Sequence, residues 1–160
     1  MLETVDTFLE KIFQNLESAG INVDDFELDH ICYRVETLQQ YDEIGKKLNQ
    51  VGKLLGENKV RNRSIATYKL DKPIVFNNRK IKIIEVPQPS DHASYKTGWQ
   101  HVEFVIDESF RGFIKRHPNV NFATDGLQKK INPELKVEWE DCVVKFHHQS
   151  LEYIATGLEE

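Results

Sequence analysis

The stretch GWQHVEFVID, Gly98 to Asp107, sets an imidazole beside a carboxylate on a segment otherwise fit for a core. Val102, Phe104 and Ile106 alternate to one side, as strand side chains do, so His101 and Glu103 share the other. An earlier strand-like segment, FELDHICYRV from Phe26 to Val35, carries His30. Each half of the chain also has a glutamate in its last strand-like run, Glu85 in IIEVPQP and Glu152 in SLEYIAT. His30 and Glu85 lie 55 positions apart, and His101 and Glu152 lie 51 apart. Two imidazoles and two carboxylates suit a divalent ion, because imidazole favours Zn, Ni or Fe and carboxylate neutralises the ion's charge. An ion that accepts five or six ligands then keeps room for water or substrate. Taken singly, a strand histidine is commonly a hydrogen-bonded structural residue and a glutamate beside a proline loop is solvated. The matched placement is what raises the four together.

The elements that must position them are legible in the pattern. Val5, Phe8, Leu9, Ile12, Phe13 and Leu16 form one apolar helical stripe, giving an N-terminal helix over about residues 4–18. A first module of about 26–87 follows: a strand, a helix opened by Thr37 and Gln40 at capping-box spacing, then three strand-like runs. The loop PQPSDHASYKTG separates it from a second module of about 98–157. There the order repeats, with a strand, a short helix stopped by Pro118, and runs near Val120–Thr124, Lys136–Glu140, Cys142–His148 and Leu151–Thr156. HQS between the last two predicts a hairpin. Two βαβββ modules plus one helix make an α+β chain that reads as a single domain over 1–160, duplicated in secondary structure.

Composition narrows the classes. No apolar run approaches the roughly 18–20 residues of a membrane helix. The net charge of −5 and the scattered basic residues argue against nucleic acid, which wants clustered Lys and Arg. The one basic concentration, KVRNR, reads as a solvated turn. Two cysteines without CxxC spacing, Cys32 and Cys142, fit buried free thiols in a reducing cytoplasm. No membrane partner is expected, and the assembly expected is a monomer or homodimer.

The segments LDHICYR, IATYKLDKPI, IKIIEVPQP, GWQHVEFVI and VVKFHHQSLEYIA, in that order, resemble the YecM family of the vicinal oxygen chelate superfamily, which includes glyoxalase I and extradiol dioxygenases. The resemblance covers about Leu28 to Ala155. It implies two cupped sheets forming a half-open barrel around one divalent metal held by His30, Glu85, His101 and Glu152. Zn is the first expectation, with Ni, Mn, Fe or Co as alternatives. Two departures stand out: Gln100 sits where the family usually has Glu, and the stretch before VVKFHH is short.

Other residues share the faces of these ligands. Arg34 has the parity of His30 and is either a clamp for an anionic ligand or half of a salt bridge. Glu103 could hold a ligand in place or act as a base. Of His147 and His148 only one can face the cup, and the resemblance favours His147. Tyr68 either lines the pocket or belongs to the core. The expected function is a metal-dependent isomerase or lyase that abstracts a proton next to a carbonyl of a small oxygen-rich substrate, with Glu152 or Glu85 as base. The alternative is a non-catalytic protein that binds metal or a small ligand, since one fold hosts many functions.

Overall fold

A computed structural model of the chain describes residues 4–157. Helix α1 spans Asp6–Ser18 and buries Leu9, Ile12 and Leu16, the centre of its apolar stripe. The first module then runs β1 (Glu27–Arg34), α2 (Leu38–Asn49), β2 (Gly52–Val60), β3 (Arg63–Phe76) and β4 (Arg79–Pro87). The second runs β5 (Gly98–Val105), α3 (Phe110–Arg116), a 3-10 turn at Asp125–Gln128, β6 (Leu135–Glu138), β7 (Val143–His147) and α4 (Leu151–Thr156). Thr37 caps α2 with the full reciprocal capping box: its side chain accepts from the Gln40 amide while the Gln40 side chain returns to the Thr37 amide. Arg61 and Asn62, both at positive φ, form the two-residue turn between β2 and β3, so KVRNR is a hairpin tip.

The seven strands form one curved, unclosed sheet in the order β2-β3-β4-β1-β5-β7-β6. The modules meet where β1 pairs antiparallel with β5, and each first strand also pairs parallel with the last strand of its own module, β4 or β7. Alternation sends Ile31, Val102, Phe104, Val144 and Phe146 to the outer face, where they pack with α1 residues. Tyr33, Ile84 and Val86 pack there with Tyr41, Ile44 and Leu48 of α2. The inner face is left with the polar set: His30, Cys32, Glu85, His101, Glu103 and Lys145. Both cysteines are buried and unpaired. No helix among the described residues is long and apolar enough to cross a membrane.

The second module departs from the expected strand count. Its counterpart of β2 has shrunk to a single bridge, Ala123 with Lys136. The sheet therefore ends its duplication at β7, and the run Leu151–Thr156 is the helix α4 rather than a strand hairpinned to β7. Ser150 caps this helix by accepting from the Tyr153 amide, and Gly157 closes it in the left-handed conformation at φ 67°. From there α4 crosses to β2 and β3 of the first module. A Cβ on Gly56 of β2 would lie 3.3 Å from the Ala155 carbonyl oxygen of α4, so the approach is close.

Candidate metal centre

The β1–β5 ladder is centred on the pair Ile31–Val102, with His30 opposite Glu103 and Cys32 opposite His101. A twofold axis through that centre exchanges His30 with His101 and Cys32 with Glu103. Both histidines project onto the inner face beside the axis, and both are almost wholly buried, at 1% and 0% exposure. Glu85 enters from β4, opposite Cys32. Four groups thus converge: His30, Glu85, His101 and Glu103 offer ligand atoms all within 4.8 Å of one another.

The separations fit an ion. His30 Nε2 lies 3.6 Å from Glu85 and 3.4 Å from Glu103, and His101 Nε2 lies 3.8 Å and 3.2 Å from the same carboxylates. A tetrahedron with bonds of ~2.0–2.1 Å has edges of about 3.3–3.4 Å. Both Nε2 atoms are buried and lack a properly directed hydrogen-bond partner. Natural interiors rarely tolerate such orphans without a function or an unseen partner. The donor set of two imidazoles and two carboxylates suits Zn and its first-row neighbours.

Two β-bulges aim these nitrogens. The β1–β5 register slips between Leu28 and His30, and again between Cys32 and Tyr33. The extra residues are Asp29 on β1 and Gln100 on β5, related by the same twofold axis. Each holds the Nδ1 of the histidine that follows it. His30 donates to Asp29 Oδ2 at 2.7 Å, and His101 donates to Gln100 Oε1 in a short contact. In a neutral ring whose Nδ1–H is committed in this way, Nε2 carries the lone pair, and both Nε2 atoms point into the cluster. The bulges are what let both an orienting residue and a ligand share one face.

Comparison with known proteins places the chain. The family model described as "YecM protein" matches residues 1–157. The chain belongs to the YecM family. Among its relatives is Protein YecM of Escherichia coli strain K12, 25% identical over 94% of this chain and 88% of that protein. An uncharacterized protein of Haemophilus influenzae is 32% identical over 68% of this chain, and the match spans only 59% of that relative's length. A structural-genomics protein of solved structure superposes with a TM-score of 0.80 at 24% identity, covering 96% of this chain and 88% of the other. A variant methylmalonyl-CoA epimerase of Streptomyces coelicolor, in complex with 2-nitronate-propionyl-CoA, superposes at 0.55 with 12% identity, over 78% of this chain and 97% of its own. The YecM fold of this chain is thus the vicinal oxygen chelate fold.

Within this YecM chain the twofold relation also reveals an exchange. Glu85 stands opposite Cys32 on β4; the equivalent position on β7, opposite Glu103, is Lys145. The second module therefore carries its carboxylate one strand inward, at Glu103 of β5, and has an ammonium at the position equivalent to Glu85. Lys145 Nζ lies 3.4 Å from Glu103 and 3.2 Å from Glu134. Burial alone would lower its pKa, but these two carboxylates outweigh burial and raise it.

The surrounding charges form a closed ring. His147 reaches Glu103 at 3.1 Å through Nδ1 and Asp29 at 3.4 Å through Nε2, while Asp29 holds His30. Asp29 also accepts from the Leu151 amide at 2.8 Å, tying the start of α4 to the centre. Burial pushes the Asp29 carboxyl up, yet hydrogen bonds from His147 and His30 hold it well below the usual range. Burial likewise opposes ionisation of Glu85, but His30 pulls it down to about 2. The two histidines diverge. Burial and the charge of Lys145 press His101 down to about 4, whereas the Glu103 charge and the Asp29 bond overcome burial and raise His30.

The remaining expectations resolve individually. Glu152 is not on a strand: it sits in α4, 2.6 Å from Lys69 Nζ, and is no member of the cluster. Its place beside the histidines is taken by Glu103. Tyr68 lies on the outer face opposite Ile84, packed under α2 near Gly45, and is core rather than pocket. His147 does face inward, fully buried against Asp29 and Glu103, while His148 points outward to stack on Phe110. Arg34 has no carboxylate partner among the described residues; its Nε bonds Gln100 Oε1 at 3.5 Å and its guanidinium lies over Tyr95. Asp29 and Lys145 carry no functional signal in the sequence taken alone. LDHI does display Asp29 beside His30, but only the bulge turns both to one face.

Proposed function

We propose that this protein is a divalent-metal-dependent enzyme of the isomerase or lyase type, acting on a small oxygen-rich substrate, with His30, Glu85, His101 and Glu103 holding the ion. The supporting observation is the pair of orphaned Nε2 atoms facing two carboxylates at tetrahedral spacing. A bound ion would supply Lewis-acid polarisation of substrate oxygens. The chain's own groups divide the remaining work. Asp29 and Gln100 fix the imidazole tautomers, and His147 braces both Asp29 and Glu103. Glu85 is the most open of the quartet, its side chain 12% exposed against 6% for Glu103 and 1% for the histidines. It is therefore the carboxylate that would leave the ion to meet a carbon acid entering from solvent and take its proton, the other three groups keeping hold of the ion. Lys145, 16% exposed and paired with Glu103 and Glu134, is a fixed positive charge beside the cluster that would favour a developing enolate.

Incubation of metal-loaded protein in D2O with a panel of α-hydroxy, α-keto and diol compounds tests this by NMR. At least one compound is expected to exchange a C–H next to its carbonyl, and Glu85→Gln to slow that exchange at least a hundredfold. The burial of both histidines favours the second reading, a protein that only binds its metal. Metal-loaded protein that exchanges no proton in any compound would support that reading against the enzyme.

A further inference from the structure

The inner face carries a further unsatisfied group, away from the metal ligands. Arg34 lies on β1 four residues beyond His30, on the same face, so about 13 Å separates their Cα atoms along the strand. The residue is 9% exposed, and its Nη1 is buried without a hydrogen-bond partner. Its other contacts orient it rather than neutralise it. Gln100 accepts from Nε, and the Tyr95 ring lies 4.2 Å below the guanidinium carbon.

A second arginine joins it. On β3, Thr67 stands opposite Glu85, which stands opposite Cys32, so these side chains share the inner face. Arg63 has the parity of Thr67 at the same end of the sheet as Arg34, just past the hairpin tip at Arg61 and Asn62. It is half-buried and forms no ion pair among the described residues, the Glu85 carboxylate acting on it only at a distance. Burial lowers its pKa, and the neighbouring charge of Arg34 lowers it further. Two guanidiniums on one face, neither with an ion-pair partner among the described residues, are a recognition surface for an oxyanion, whose planar or tetrahedral oxygens match the guanidinium fork.

We propose that Arg34 and Arg63 form an oxyanion subsite that binds the carboxylate or phosphate end of the ligand whose reacting oxygens lie at the metal centre. The assignment of the reacting end rests on the proposed function; the subsite itself does not. Gln100 lies between the two, its Oε1 accepting from both Arg34 and His101, so it sets their spacing while each keeps its own ligand-binding groups. The ligand so defined is a short anion with its charge at one end and adjacent oxygens at the other. Tyr95 supplies the stacking wall for the Arg34 plane and leaves the buried Nη1 without a protein partner.

The test is calorimetric titration of inorganic phosphate and, separately, acetate into chelator-treated protein at constant ionic strength. Wild-type protein is expected to bind at least one of them, and a tenfold preference between the two identifies the ligand as a phosphate or a carboxylate. Arg63→Gln, a half-exposed position that leaves the fold intact, should weaken that anion at least tenfold. Arg34→Lys, which keeps the charge but not the fork, should do the same. His101→Ala should abolish the response to metal yet leave anion affinity within twofold. Anions that bind Arg63→Gln as well as wild type, or fail to bind wild type, would overturn the subsite. Loss of anion binding in His101→Ala would also overturn it as an independent site. Metal binding without anion binding refutes the subsite alone, and the converse refutes the metal centre alone.

Discussion

Zinc, nickel, manganese or cobalt, at a hundredfold excess over its dissociation constant, should raise the melting temperature by about 5–10 °C. The magnitude follows from linkage: a ligand bound only by the folded state adds about 2.7 kcal/mol at that excess. For a chain of this size each kcal/mol shifts the midpoint by roughly 2–4 °C. His101→Ala should lose nearly all of the response, because it removes a ligand that nothing nearby replaces. Glu152→Gln should retain it. Its carboxylate pairs with Lys69 at the surface, both side chains about a quarter exposed, and such pairs contribute about 1 kcal/mol or less. Differential scanning fluorimetry with and without chelator reads both variants. A melting curve indifferent to every metal, or a Glu152→Gln variant as unresponsive as His101→Ala, would contradict the site as built.

The second large effect belongs to Lys145. Lys145→Met removes the ammonium paired with buried Glu103 and leaves that carboxylate crowded against Glu85. Breaking a buried pair on one side destabilises by about 3–5 kcal/mol. Urea unfolding of chelator-treated protein should show a loss of that order. Added metal should restore most of it, since a divalent ion compensates the same carboxylates and no longer meets the repulsion of a neighbouring ammonium. Metal affinity should rise in this variant for that reason. An equal loss with and without metal would mean that Lys145 and the ion do not share an electrostatic site.

Much of this arrangement is legible in the residues themselves. Strand parity puts His30 with Arg34, and His101 with Glu103, on shared faces, and Glu85 follows from its position in the last strand of the first module. The twofold relation of the modules is also readable. What fails is the strand count in the second module. With the β2 counterpart reduced to the Ala123–Lys136 bridge, β7 becomes the last strand, and LEYIAT is free to coil. Its alternating apolar residues imitate a strand, although Ser150 and Gly157 stand at the two capping positions. The matching of Glu85 to Glu152 fails with it, since the position equivalent to Glu85 is Lys145.

The bulges at Asp29 and Gln100 lie beyond sequence reading for a different reason. A bulge is a mismatch between two strands, and neither strand announces it alone. In the sequence Gln100 is only a departure from the family's usual Glu. The structure gives that departure a consequence: a neutral amide accepts from His101 without adding another negative charge to those of Asp29, Glu85 and Glu103. Tyr68 belongs to the core because Thr67, its neighbour, carries the inward parity opposite Glu85.

The most direct measurement is anomalous diffraction from crystals of the protein grown with zinc or manganese, collected on both sides of the metal's absorption edge. A single dominant peak is expected on the inner face, bonded to His30 Nε2 and His101 Nε2 and to the carboxylates of Glu85 and Glu103. No peak there at full loading, or one held by Glu152 or the outward-facing His148, would contradict the metal centre.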